Sequence, residues 1–517
     1  MKNAKLCVRS AIYSVAVLSV FMGLNAPATA DNLSAAATAG EVANKQKLGQ
    51  MFPQPPAAPQ AVPPILQQFQ VDPDETGFIG SYQPNGATVT TSNAFFQNLG
   101  TNGRTCFTCH EPQDGWGLSA GSAQNRFNKD PTDPLFRLVD GATCPSDDVS
   151  TPAAMQSAYA LLLSKGLIRI GLPMQSAMEF QILNVQDPYG CNTNPVTGLT
   201  GAKSGFLSFY RRPLPSTNLG FLSAIMWDRR EPDLFHQSVD ATLGHAQATN
   251  PPSFRQQQQI VSFEGCTTAL TPGPCANIAP GEGLYTGQVI DTAAGNLYQD
   301  GPTGGPLTVY QELGNFVLCM NDPFGCNGQT FNPIVFSVYD TWANLTGSDP
   351  VTQARLALAR GEQVFNSMPF KITGVAGLND TLGKSSVNGT CSTCHDTPNV
   401  GNHSATLALN IGVTGAGKSA PPALDISGLP VFTVLCTSGP SKTFEVTDLG
   451  VAMISGKCAD IGKTKAPILR GLTGRSPYFH NGSAPNIEAL IEFYNQRFNI
   501  GLTDQQKADL GVFLESL

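Results

Sequence analysis

Three observations predict a mainly α, loop-rich fold for this chain of 517 residues: two copies of one pentapeptide, many Gly and Pro, and a few well-marked helical stretches. The pentapeptides are Cys106-Phe107-Thr108-Cys109-His110 and Cys391-Ser392-Thr393-Cys394-His395. Each reads as a c-type haem attachment site, in which two thiols add to the haem vinyl groups and the adjacent imidazole coordinates iron. A redox dithiol, half of a zinc site and a structural pair are the alternatives. A dithiol needs no His directly after it, and a zinc site needs further Cys or His at ligand spacing. The expected architecture is two cytochrome c-like haem domains with long irregular, disulfide-stapled insertions. Gly at 52 positions and Pro at 39 should keep the helices short.

The elements follow in chain order. Lys2, Lys5 and Arg9 precede an apolar run over residues 11–24, and Ala28-Thr29-Ala30 supplies a small-x-small cleavage signal. This pattern predicts a signal peptide over residues 1–30, cleaved after Ala30, and hence a periplasmic protein. The run is shorter than a membrane-spanning helix requires, and no later segment is long and apolar enough to span. Residues 31–73 contain Pro53, Pro55, Pro56, Pro59, Pro63 and Pro64 and read as an extended N-terminal arm. Residues 74–345 are expected to form an N-terminal haem domain with a helix over 233–241 and an insertion over 251–345. Residues 346–517 are expected to form the C-terminal haem domain. Helical periodicity marks 352–365, 486–497 and 503–517, the last opened by a capping box of Thr503 and Gln506.

Cysteine usage fits an oxidising compartment. Of 13 Cys, one lies in the signal and four are claimed by haem, leaving eight, an even number. Short loops close at the least entropic cost. The expected pairs are therefore Cys144–Cys191, Cys266–Cys275, Cys319–Cys326 and Cys436–Cys458. Only 13% of residues are charged and the net charge is −8, which argues against nucleic acid or an anionic membrane surface as partner. Mild acidity would suit docking of a basic small electron carrier.

Further motifs carry a resemblance. Residues 467–483 (PILRGLTGRSPYFHNGS), with Glu492-Phe493-Tyr494-Asn495 downstream, resemble the C-terminal half of the bacterial di-haem cytochrome c peroxidase and MauG family. Met226-Trp227-Asp228-Arg229-Arg230, with Gln237 beyond it, is similar to the family's Trp-Asp-Gly-Arg segment, with Arg229 where Gly is usual. The resemblance spans both haem motifs, the Trp segment and the tail, but neither the arm nor the insertion.

The resemblance implies two covalently bound haem c groups, with His110 and His395 as proximal ligands. In the peroxidases a second His shortly after the first motif blocks that iron until activation. Here no His occurs between His110 and His236, which implies an iron open to hydrogen peroxide, as in the MauG-like branch. The family places Gln and then a catalytic Glu ten and twenty residues beyond the Trp. Those positions are Gln237 and Gln247. An amide orients but cannot carry a proton, whereas an imidazole can. His245 is therefore the expected acid/base, assisted by Gln237 and Gln247. Trp227 is expected to relay electrons between the haems, with Asp228 and Arg230 structural.

The sixth ligand of the second haem is expected to be Tyr494, fourteen residues beyond His480, where MauG-like members carry Tyr and the peroxidases Met. Met453 and His480 are the alternatives. Calcium is a further candidate cofactor, held by the backbone carbonyls of Arg475 and Pro477. The family's Asn ligand falls near Arg212, whose guanidinium could replace the cation. The functional expectation is a periplasmic oxidoreductase, a cytochrome c peroxidase or MauG-like oxidase. Its partners would be hydrogen peroxide and a small cytochrome c or cupredoxin, or a protein substrate. A non-enzymatic di-haem electron-transfer cytochrome is the alternative. The sequence does not fix the oligomeric state.

Overall fold

The computed structural model describes residues 62–517, save 195–197, 200–204, 266–281, 298–303, 325, 327, 329 and 440. The expected signal peptide, most of the Pro-rich arm and the Cys266–Cys275 pair lie outside the described residues.

The predicted helices form, and their ends are set by capping. Pro350–Ser367 starts with Pro at its first position and with the Asp349 side chain accepting from Thr352 N–H. Ile487–Phe498 is capped by Asn486, and Asp504–Glu515 by the expected Thr503–Gln506 box. Leu234–Gly244 is capped by Asp233. Helices Pro350–Ser367 and Asp504–Glu515 meet at Gly361, where a Cβ would overlap the Asp509 carbonyl. This close approach closes an aromatic core of Phe336, Tyr339, Phe365 and Phe513 behind the second pentapeptide.

The expected fold class is corrected by the strands. The described residues are 31% helix and 19% strand, not mainly α, and the stretches between the two pentapeptides are not simply stapled loops. Ile168–Pro173 pairs antiparallel with Phe206–Arg211. Phe180–Gln186, Val431–Cys436 and Thr443–Val446 form a three-stranded sheet. Gly295–Asn296, Tyr285–Asp291, Gly77–Tyr82 and Phe69–Pro73 form a four-stranded one. The reason is period-two burial: Phe432, Val434 and Cys436 turn inward from their strand while its other residues stay half-exposed. Partners such as 180–186 and 431–436 are far apart in sequence, so no local pattern announces the pairing. The segment read as an insertion contributes two strands, Tyr285–Asp291 and Gly295–Asn296, to the four-stranded sheet, and the helix Phe254–Glu264, whose Phe263 packs on Trp116.

Three of the four expected disulfides are formed, Cys144–Cys191, Cys319–Cys326 and Cys436–Cys458, with Cα separations of 5.3, 5.7 and 5.8 Å. Cys106, Cys109, Cys391 and Cys394 are the unpaired cysteines among the described residues. No described helix is long and apolar enough to cross a membrane.

Candidate di-haem site

The two pentapeptides fold alike. Cys106–Thr108 and Cys391–Thr393 are single 3₁₀ turns preceded by Thr105 and Thr390. Thr108 Oγ1 accepts from Thr105 N–H at 3.0 Å, and Thr393 Oγ1 from Thr390 N–H at 2.9 Å. Each His is then tied to a carbonyl six residues on. His110 Nδ1 donates to Trp116 O at 2.9 Å, and His395 Nδ1 to Gly401 O at 2.7 Å. With Nδ1 so engaged, Nε2 is left as the coordinating nitrogen. Burial pushes the His110 imidazolium down to about 4 and lowers that of His395, which keeps both rings in the neutral, ligating form.

Each motif opens onto its own cavity. The first, about 1420 Å³ including its mouth, is lined by Cys106, Cys109 and His110. The second, about 1480 Å³, is lined by Cys391, Cys394 and His395. Burial pushes the thiols of Cys109, Cys391 and Cys394 up to about 11 or 12. Neutral thiols of this kind are unlike the thiolates of a redox dithiol. Lys465 lines both cavities, and burial lowers its ammonium to about 7. No described carboxylate lies within ion-pairing distance of it. A buried cation without a counter-charge, beside two haem-sized spaces, fits groups that bring their own carboxylates.

Gln237 and His245 line the first cavity, whereas Gln247 does not. Gln247 sits in a left-handed turn at φ 56°, and its side-chain carbonyl accepts from Asn102 Nδ2 at 3.2 Å. The expected role for Gln247 at the pocket therefore lacks a position. His245 follows the helix Leu234–Gly244, and its Nδ1 lies 2.5 Å from Asp140 Oδ2. Asp140 is fully buried and bonded in turn to Arg104 Nη1. Sequence reasoning missed Asp140, since nothing local links it to a residue 105 positions away.

It also missed Glu264, which lines the same cavity from the end of helix Phe254–Glu264. Ser216 Oγ donates to Glu264 Oε1 at 2.8 Å, Oε2 has no partner, and burial raises the carboxyl to about 7.

Trp227 lines both cavities. Its Nε1–H donates to Arg212 O at 2.8 Å, and its ring centroid lies 6.0 Å from that of His480. The turn that carries it has positive φ at Met226 and Arg229, both 62°, so Arg229 adopts the conformation that favours Gly. Asp228 is fully buried and bonded to Arg211 and Arg230, and Arg211 also pairs with Asp448 through two bonds of 2.6 and 2.9 Å.

In the second cavity Tyr494 and His480 both reach the wall, but Met453 does not. Met453 is fully buried in the apolar cluster built on the 168–173 and 431–436 strands. His480 Nε2 lies 3.7 Å from Asp448 Oδ2. Burial, reinforced by Cys394 and Cys391, raises the Tyr494 phenol above its ordinary range, so a phenolate there calls for a cation beside it. One of the two carbonyls expected to hold calcium, that of Arg475, faces a cation already: Arg212 Nη2 donates to Arg475 O at 3.0 Å and to Leu118 O at 2.5 Å, and Nη1 donates to Ser476 O, the neighbour of Pro477, at 3.3 Å.

No family model matches the chain. Over 89 residues it is 38% identical to the cytochrome-c peroxidase IdrP2 of Denitromonas iodatirespirans, which covers 16% of this chain and 24% of that protein. It is 35% identical over 69 residues to the cytochrome-c peroxidase IdrP1 of the same organism, covering 11% and 18%. The chain thus matches about a quarter or less of the length of these relatives. A solved MauG-like protein associated with microbial copper homeostasis aligns over 82% of this chain and 87% of its own, at 13% identity and a TM-score of 0.33.

Proposed function

We propose that this chain, a member of the bacterial di-haem cytochrome c peroxidase and MauG family, is an exported oxidoreductase that activates hydrogen peroxide beside His110 and exchanges oxidising equivalents with a second centre beside His395. The observation that carries this reading is Trp227, which lines both cavities. Two covalent haems would supply the redox chemistry, attached through Cys106 and Cys109 and through Cys391 and Cys394.

The residues divide the remaining work. His245 is the proton carrier: it takes a proton from one peroxide oxygen and returns it to the other. Asp140 holds His245 Nδ1 and so assigns the exchange to Nε2; Arg104 holds Asp140. Gln237 orients peroxide by hydrogen bonding. Lys465 supplies counter-charge to haem carboxylates at the boundary of the two cavities. Tyr494 would supply an oxygen donor to the group held by His395, the choice favoured by its place in the second wall and by the burial of Met453 elsewhere. That hard anionic donor suits a centre that stores oxidising equivalents, whereas a thioether would suit a plain electron carrier. The Arg212 guanidinium takes the place of calcium among the carbonyls. The reductant is a small electron-transfer protein or an oxidisable side chain on a partner protein.

Stopped-flow mixing of the diferric protein with peroxide tests the reading. Wild type should show spectral changes at both haems in one phase. Trp227→Phe should retain the response of the His110 haem and delay that of the His395 haem. Equal responses in the two proteins would remove Trp227 from the route.

A further inference from the structure

Behind the second haem motif lies a cluster that the redox reading does not use. Asp322, Asp396 and His403 are 3%, 0% and 2% exposed. Each offers one potential ligand atom, and these atoms all lie within 4.8 Å of one another. His403 Nδ1 is 2.7 Å from Asp396 Oδ2. Asp396 Oδ1 accepts from Ser404 N–H at 2.6 Å, and Asp322 Oδ2 from Cys326 N–H at 2.9 Å. Among the described residues, two atoms of the cluster have no partner, Asp322 Oδ1 and His403 Nε2.

The charge count is the second anomaly. Two carboxylates are enclosed together, and among the described residues no Lys or Arg pairs with either; the ion pair formed is that of His403 with Asp396. Burying an uncompensated carboxylate is strongly unfavourable, and an orphaned acceptor adds its own desolvation penalty. A divalent cation would remove both penalties at once.

We propose that Asp322, Asp396 and His403 bind a divalent transition cation of the zinc class. One imidazole nitrogen with two carboxylate oxygens is a borderline-hard set that suits Zn²⁺, with water completing a four-coordinate shell. The imidazole disfavours Ca²⁺, which takes six to eight oxygens. The position gives the ion a structural purpose. Asp396 directly follows His395, and His403 lies two residues past Gly401, the carbonyl that orients His395. Asp322 comes from the loop closed by Cys319–Cys326. The ion would therefore clamp the loop holding the second proximal ligand to a segment remote in sequence. His403 O also accepts from Ser223 Oγ at 2.9 Å, which ties the clamp toward the Trp227 segment.

The test uses the purified di-haem protein, with metal content measured separately from iron. After dialysis against a chelator, titration with Zn²⁺ alone should load about one equivalent per chain and raise the thermal midpoint. Asp322→Asn, nearly isosteric, should retain both haem spectra and the native circular dichroism while losing Zn²⁺ binding and the thermal response. His403→Gln is the second variant and should behave likewise. Absence of Zn²⁺ binding by chelated wild type would overturn the proposal, as would unchanged binding in a folded Asp322→Asn protein. A response to Ca²⁺ equal to that of Zn²⁺ would overturn the assigned class.

Discussion

The two cavities are built on the same turn, share Trp227 and Lys465, and differ in most of the other residues that line them. Each has a 3₁₀ turn fixed by two Thr, two buried thiols and a His tied to a carbonyl six residues on. Beyond that, the His110 cavity collects groups able to move or place protons: His245 on Asp140, Gln237 and Glu264. The His395 cavity is walled largely by apolar residues such as Phe365, Phe370, Leu409, Ile491 and Phe498, with Tyr494, His480 and Lys465 among its polar groups. On the proposed reading, the attachment motif would fix the cofactor while the rest of the wall would decide between chemistry and storage.

The sharpest way to break this division is to remove the proton carrier. His245→Ala should slow the peroxide step by about 10²–10⁴-fold, the usual worth of a positioned general acid/base. Asp140→Asn should act in the same direction through the orientation of the ring. Rapid-mixing rates at the His110 haem check this, and the spectrum of the His395 haem should stay unchanged. A rate for His245→Ala equal to wild type would leave the first cavity with no special status.

A smaller effect belongs to Glu264, and its sign is fixed. Burial raises its carboxyl from 4.5 to about 7, so the folded state favours the protonated form. The resulting stabilisation is complete below 4.5 and lost as pH rises through about 7. At about 1.4 kcal/mol per pH unit that interval amounts to about 3 kcal/mol. Glu264→Gln should therefore gain on wild type by roughly this amount between pH 4.5 and 8 in urea unfolding of the di-haem protein. A constant difference between the two proteins across that range would show that Glu264 does not titrate there.

What could be read from the sequence was what is contiguous. The two pentapeptides, the Thr503–Gln506 capping box, the helices after Asp349 and Asn486, and the disulfides over short loops each depend on neighbours within a few tens of residues. The strands were missed because 180–186 finds its partner at 431–436, and no local pattern carries that register. Site residues divide in the same way. Trp227, Gln237 and Tyr494 were implied by the family resemblance of contiguous segments, and each lines a cavity. Counting failed at Gln247, where a left-handed turn redirects the side chain to Asn102. Asp140 matters through its buried pairing with His245 and Arg104, and Glu264 and Lys465 through burial, quantities that exist only once the chain has folded.

The inequality of the two centres is tested most directly by electron paramagnetic resonance of the resting diferric protein, wild type beside Tyr494→Phe. Two distinct signals are expected in wild type: a high-spin, five-coordinate haem at His110 and a six-coordinate haem at His395. Tyr494→Phe should alter only the second. Two six-coordinate low-spin haems, both indifferent to Tyr494→Phe, would contradict the division between an open centre and a capped one.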